Sequence, residues 1–520
     1  MTRMTVMPCD RRTLLRAAAG AALLAGVPLK PLLAAADLAA TDGDDWAAAF
    51  DAALARDPSL IGWQGNGVER DVADAAVSGA WPAELRGAFY RNGPGSQSVG
   101  GRRYRHWFDG DGLVHRWGIG GGRVSYRARY VATRKRMAEA AAGRALTGAF
   151  GTHWDGLPFG TPPDAMNPAN ISVLPLAGKL LALWEAGSAY DLDPATLATA
   201  GERVWRRDLA GMPFSAHPKT DPDGTVWNFG VDYPSGRLFV WRVGADGALK
   251  RCAEIPERHP GMLHDMAVTE RHILFLLAPY TIDPARWGTV PFLDAHRWQP
   301  DAPLRAVAVD KDTLAVVRRW ELPAGFGFHF GNAWEEADGT IRCDFCLAPD
   351  AGLVDRTLRL VMRGERADSA PPRITLITLH PDGRTAVEPL SAGLAEFPRV
   401  DPRMVGRRNR ALFHLERRVD GTGPWLGAVV RRDMETGAVD RYDHPPGIIA
   451  EEMVFVPRPG SQAEGDGWLL GTVLAVGETA DRSRTGLALF DAARLSAGPV
   501  AQAWLDAPLP LGFHGAFAPA

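Results

Sequence analysis

The sequence predicts an all-β fold, a seven-bladed β-propeller with a helical and loop cap over one face. Three observations carry that prediction: a degenerate repeat, strand-like runs between its marks, and four histidines that share its register. The repeat is an apolar residue, an aspartate and a short turn. It recurs at Asp193, Asp246, Asp310, Asp382, Asp433 and Asp491, with spacings of 53, 64, 72, 51 and 58 residues. Between the marks lie runs rich in Val, Leu, Ile and Trp, such as residues 237–242, 273–277 and 468–473, which read as strands. A Gly118–Gly122 turn between two further runs supplies a seventh unit. Seven units of roughly 50 to 70 residues, each with room for about four strands, match the period of a propeller.

If each aspartate turn is the outer hairpin of a blade, the chain next crosses inward and lines the central axis. His217, His264, His329 and His514 follow Asp193, Asp246, Asp310 and Asp491 by 24, 18, 19 and 23 residues. All four therefore arrive on or near innermost strands. Glu396 and Glu452 follow Asp382 and Asp433 by 14 and 19 residues and reach similar places on the intervening blades. A single histidine is usually a loop or hydrogen-bonded core residue; four in one register point to a metal site. Neutral imidazoles suit iron, copper, zinc and nickel, and ligand count alone leaves tetrahedral zinc open. Ligand imidazoles usually donate their second N–H to a carboxylate or carbonyl, a role that buried glutamates near the axis would fill.

The motifs around these residues also resemble a family. LRGAFYRNGPG (85–95), HWFDGDGLVHRW (106–117), LLALWEAG (180–187), AHPKTDPDG (216–224), HDMAVTE (264–270), FHFGNAWEE (328–336), EFPRVDPR (396–403), EEMVFVPRPG (451–460) and LGFHGAFAP (511–519) are similar to the carotenoid cleavage oxygenases. These are the iron(II)-dependent, retinal-pigment-epithelium-protein-like enzymes. The resemblance implies a seven-bladed propeller and one Fe(II) per chain held by His217, His264, His329 and His514. It further implies Glu185, Glu396 and Glu452 as the carboxylates behind His264, His329 and His514, with none behind His217. One departure is visible: Met453 stands where the family usually has proline after the glutamate.

Other eye-catching residues have plainer readings. Phe108-Asp-Gly-Asp-Gly112 lacks the remaining ligands of a calcium loop and opens no helix, so it reads as a tight turn. His106 and His115 flank it outside the common register and read as structural. Cys343 and Cys346 form a C-x-x-C without a second pair, on a strand-like segment, and read as packed thiols.

With 57 Gly, 40 Pro and 46% hydrophobic residues in 520, the chain is turn-rich and globular. The formal charge of −3, without a basic cluster, argues against nucleic acid. Residues 1–36 read as a twin-arginine signal peptide: Arg11-Arg12 precedes a weakly apolar run, and Ala34-Ala35-Ala36 offers a cleavage site. That run, interrupted by Pro28 and Lys30, is too short to span a bilayer. Its removal would leave a charge of −7 and three cysteines, no disulfide framework. The expected location is the periplasm, reached folded through the twin-arginine machinery. Residues 37–84 are expected to form a helical strap, with a helix at 46–54, and residues 85–520 the propeller domain. A second helix is expected over 135–146, as an insertion above one face.

The function expected from this combination is Fe(II)- and O2-dependent cleavage of a C=C bond in a carotenoid or apocarotenoid, giving two carbonyl products. The alternative is cleavage of a phenolic stilbene on the same iron centre, where the resemblance suggests that Tyr104 and Lys135 engage a 4-hydroxyl. A different class, a non-catalytic propeller with a structural metal, is the least favoured. The partners expected are O2 and a small apolar or phenolic alkene, with room for peripheral membrane contact.

Overall fold

The computed structural model describes residues 45–65, 67–158, 162–421 and 425–520. The segment read as a signal peptide lies outside the described residues. The described strands form seven sheets of four to six strands, accompanied by two short two-stranded ribbons. Numbered around the ring, blade 2 contains Ser172–Leu176 to Thr199–Glu202, blade 3 Lys219–Thr220 to Leu249–Arg258, and blade 4 Ala267–Val268 to Val316–Leu322. Blade 5 runs from Phe330–Glu335 to Thr385–Pro389 and blade 6 from Ala395–Arg399 to Val439–Asp443.

Blades 1 and 7 close the ring with strands from both chain ends. In blade 1 the C-terminal strand Gly515–Pro519 lies innermost, antiparallel to Gly87–Arg91, and Arg70–Val72 is added outside. In blade 7 the outer edge is Ala76–Gly79, paired with Ala501–Trp504. Radial repetition leaves only short edges, and these two pairings staple first to last. The ring thus draws strands from before residue 85, because two blade edges need covering.

Every aspartate mark is an outer hairpin, between the third and fourth strands of its blade. The reason is an Asx turn, in which the carboxylate replaces backbone acceptors at a tight bend. Asp310 Oδ1 accepts from the backbone N–H groups of Asp312 and Thr313 at 3.1 and 2.7 Å, and Asp193 and Asp433 repeat the pattern. Gly121 and Gly122, at φ of 61° and 76°, turn the seventh hairpin.

Insertions cover one face. Helix α1, Trp46–Leu54, buries Trp46, Phe50, Ala53 and Leu54 against Val361 and Met362, within a helical insertion of blade 5. Helix α2 spans Arg134–Ala142, shorter than 135–146. Thr133 caps its start by accepting from Arg136 N, and Gly143 stops it in the left-handed conformation at φ 64°. The blade 5 insertion is tied to its neighbours: His106 Nε2 lies 3.0 Å from Val354 O, Tyr280 donates to Asp355, and Arg359 meets Asp294 at 2.6 Å. Cys343 and Cys346 are buried free thiols.

Candidate metal centre

Each of the four histidines sits one to three residues before the innermost strand of its blade: His217 before blade 3, His264 before blade 4, His329 before blade 5 and His514 before the closing strand of blade 1. Seven-fold geometry brings these equivalent positions to the axis. One ring nitrogen from each lies within 4.8 Å of all the others, and all four residues are buried.

Three rings are held from behind. His329 Nδ1 is 2.6 Å from Glu396 Oε2, His514 Nδ1 is 2.9 Å from Glu452 Oε1, and His264 Nδ1 is in ion-pair contact with Glu185 Oε1. A carboxylate only accepts, so Nδ1 carries the proton in these rings and Nε2 is left as a bare acceptor. The Nε2 atoms of His264 and His329 face each other at 3.2 Å, and His217 Nε2 is buried without a partner among the described residues. Converging buried acceptors repel one another unless a cation lies among them. The donor set therefore fits a divalent metal bound by neutral imidazole.

Electrostatics favour that protonation state. Burial lowers His514 to about 3, outweighing its glutamate, and burial together with its three imidazole neighbours pushes His217 well below the usual value. Burial pushes Glu452 up, but Arg399, His514 and Arg91 outweigh it and hold the carboxyl well below its ordinary range. Arg399 donates to Glu452 Oε1 through Nε at 3.0 Å, and Gly515 N donates to Oε2 at 2.8 Å. Met453, buried beside Gly471, leaves Glu452 in place despite the missing proline. Phe397, next to Glu396, stacks on His329 at 5.3 Å and adopts φ of 58°. Such strain in a bulky residue persists only where surrounding contacts impose it.

The cluster opens onto one aromatic cavity, and a second lies beyond Glu185. One exposes His264, His329 and His514 beneath Trp63, Trp107, Phe328 and Trp425. The other is lined by Trp184, Tyr233, Trp287 and Phe292 and carries Glu185, the partner of His264. Phe108 and Phe150, 5.4 Å apart, stand between them. A groove open to solvent between blades 1 and 2, around Tyr90 and Arg116, is lined by none of the four histidines.

Tyr104 and Lys135 do meet: Nζ is 2.9 Å from the phenolic oxygen. The same Nζ is 2.9 Å from Asp111 Oδ1 and from Glu139 Oε2, and the lysine is 3% exposed. Burial lowers Lys135, but Asp111, Tyr104 and Glu139 outweigh it and raise the ammonium well above its ordinary value; burial raises the phenol too, despite the lysine. Neither residue lines either cavity. His106 and His115 are structural, the first capping the turn at Trp107–Asp109 and the second 2.7 Å from Tyr126 Oη. The FDGDG turn holds no ligand set: Asp109 binds Gly151 N and Thr152 Oγ1, and Asp111 binds Lys135.

Sequence reading missed Glu139 and Glu451. Glu139 lies four residues after Lys135 on α2, the spacing that brings helical side chains together. Glu451 had no signal beyond its neighbour Glu452.

Comparison with known proteins agrees with this geometry. The pattern of the retinal pigment epithelial membrane protein family matches residues 65–519. The chain is 33% identical over 479 residues to an apocarotenoid-15,15'-oxygenase of Synechocystis, covering 88% of this chain and 96% of that one. It is 29% identical to lignostilbene-α,β-dioxygenase isozyme III of Sphingomonas paucimobilis, covering 87% and 95%. A cobalt-substituted Synechocystis apocarotenoid oxygenase superposes with a TM-score of 0.79 at 30% identity, over 89% of this chain and 98% of that one. The chain belongs to the retinal pigment epithelial membrane protein family, the carotenoid cleavage oxygenases, and its four-histidine cluster is a metal site of the Fe(II) type found in those enzymes.

Proposed function

We propose that the protein is an Fe(II)- and O2-dependent dioxygenase that cleaves one C=C bond of a carotenoid or apocarotenoid to two carbonyl products. The observation that carries this reading is the opening of the four-imidazole cluster onto an aromatic cavity, with a second aromatic cavity beyond Glu185. A long apolar alkene laid across both would present one interior double bond to the metal. His217, His264, His329 and His514 would hold the ion, and bound there Fe(II) supplies the redox chemistry for adding O2 across the bond. The chain does the rest. Glu185, Glu396 and Glu452 keep a proton on Nδ1 and so keep Nε2 available. The cap of α1 and the blade 5 insertion excludes water, and the aromatic walls orient the chain of the alkene. Incubation of the iron-loaded protein with an apocarotenal under 18O2 should give two carbonyl products, each labelled. An uncleaved, isomerised or hydrated product without label would replace this reading with an isomerising or hydrolytic one.

A second reading is phenolic stilbene cleavage. It is favoured by the Tyr104–Lys135 contact and by the similarity to a lignostilbene dioxygenase. Against it, the lysine is already neutralised by two carboxylates away from the cavity walls. Turnover of a 4-hydroxystilbene but no apocarotenal would reverse the order. Export through the twin-arginine route to the periplasm completes the proposal, supported by Arg11-Arg12 and the small-residue site at 34–36. Fractionation of cells expressing the full chain, beside an Arg11→Lys, Arg12→Lys variant, tests it.

A further inference from the structure

Glu451 lines the cavity beside the histidines, and nothing in the metal centre uses it. In a regular strand, consecutive side chains point to opposite faces. The innermost strand of blade 7 is not regular: Ala450 pairs with Val473 and Val454 with Leu470, so residues 451–453 oppose only 471 and 472. This is a β-bulge, a device that re-aims side chains next to active sites. It brings both glutamates to the same segment. Glu452 takes His514 and Gly515, while Glu451 Oε1 accepts from Gly512 N at 2.6 Å. Glu451 N donates to Thr472 O at 3.0 Å, and a Cβ at Gly471 would come within 2.5 Å of Glu452 O. Glu451 is thus fixed at its backbone and at one carboxylate oxygen.

The other oxygen, Oε2, has no hydrogen-bond or ion-pair partner among the described residues. Glu451 is 7% exposed, and apart from the histidines and Glu396 its cavity is apolar and aromatic. A carboxylate oxygen open to such a cavity is met only by water or by a donor on a ligand. Arg91 attracts Glu451 electrostatically, yet its guanidinium donates to the carbonyls of Phe513 and Glu452.

We propose that Glu451 is a specificity-determining residue whose free oxygen accepts a hydrogen bond from a hydroxyl group of the alkene, so that the enzyme selects hydroxyl-bearing substrates. The proposal rests on the alkene-cleavage reading and adds a functional group to it. A ring hydroxyl on a polyene and a phenol offer the same donor, and the test separates them. Two matched pairs are compared on the iron-loaded enzyme: an apocarotenal with and without a ring hydroxyl, and 4-hydroxystilbene with its methyl ether. Kd is read from quenching of tryptophan fluorescence, since Trp63, Trp107 and Trp425 line the cavity, and kcat and KM are measured beside it. The hydroxylated member of at least one pair should bind about 10- to 100-fold more tightly, with the difference in KM rather than kcat. Glu451→Met offers no acceptor, and in it the preference should shrink to within about threefold in either pair; Glu451→Gln keeps an acceptor for Gly512 N but turns to the ligand an amide that donates to a hydroxyl and an ether alike, so the preference for 4-hydroxystilbene over its methyl ether should shrink in the same way. The pair that shows the effect names the source of the hydroxyl. Equal affinity within both pairs for the wild type overturns the proposal without any variant, and so does a preference that survives both substitutions. A Kd preference lost in the variants, with no alkene cleaved, would sink the alkene-cleavage reading and leave the hydroxyl acceptor standing.

Discussion

The four-histidine cluster and the Lys135 cluster are both buried and polar, yet they differ in what they leave unsatisfied. At Lys135, one ammonium meets a phenol and two carboxylates at 2.9 Å, and Arg136 lies 3.6 Å from Asp111, so two positive charges answer two negative ones inside the protein. At the axis, acceptors converge and no donor among the described residues answers them. The lesson is that a buried cluster announces a ligand by its surplus of one kind of group. Closed clusters such as that of Lys135 fix structure. Open ones such as the histidines, and the free oxygen of Glu451, wait for something to bind.

The largest effect should come from opening the axial cluster further. His264→Ala removes a ligand and strands Glu185; most of the iron should be lost, and turnover should fall by more than about a thousandfold, the scale on which losing an essential group acts. Metal analysis beside activity checks it, and full turnover with unchanged iron would break the contrast at its root.

Breaking the closed cluster should instead cost stability. Lys135→Met leaves Glu139 buried without a counterion and Asp111 with Arg136 alone, and urea denaturation should show a loss of about 3 to 5 kcal/mol. A variant as stable as the wild type, but deficient only toward 4-hydroxystilbene, would move Lys135 from the closed class to the open one and favour the stilbene reading.

A smaller effect is expected behind the ligands. Glu396→Gln and Glu452→Gln keep the side-chain size but lose the charge that orients an imidazole, so iron affinity should fall about 10- to 100-fold. Competition with a chelator of known affinity measures it. Wild-type affinity in both variants would show that the pairs serve only the blades.

The smallest effect is in pH, and it has opposite signs in the two clusters. Lys135 is raised above its unfolded value, and Tyr104 with it, so the folded state binds more protons than the unfolded one above about pH 10 and stability falls as pH rises. His217 and His514 are lowered, so below about pH 6.5 the unfolded state binds more protons and metal-free protein loses stability as pH falls. Denaturation of chelator-treated protein at both extremes checks the pair of signs. Lys135→Met should flatten the alkaline limb alone.

The sequence by itself determined the ring and the four histidines at its axis. Asp193, Asp310 and Asp433 mark hairpins through local Asx turns, and local geometry is legible because it depends on neighbours in the chain. The histidines were legible for a related reason: a repeat converts constant spacing into a constant position at the axis. Helix α1 was readable from its apolar spacing, whereas the end of α2 was set by Gly143. Other features depended on contacts between distant segments, which spacing does not encode. The strands Arg70–Val72 and Ala76–Gly79 became blade edges because two sheets needed covering. Asp111 entered the Lys135 cluster because strand and helix pack together, and the bulge at 451–453 turned two consecutive glutamates to one segment. Only the tertiary structure decided which polar groups were answered and which were left open, because satisfaction is a property of what surrounds a side chain.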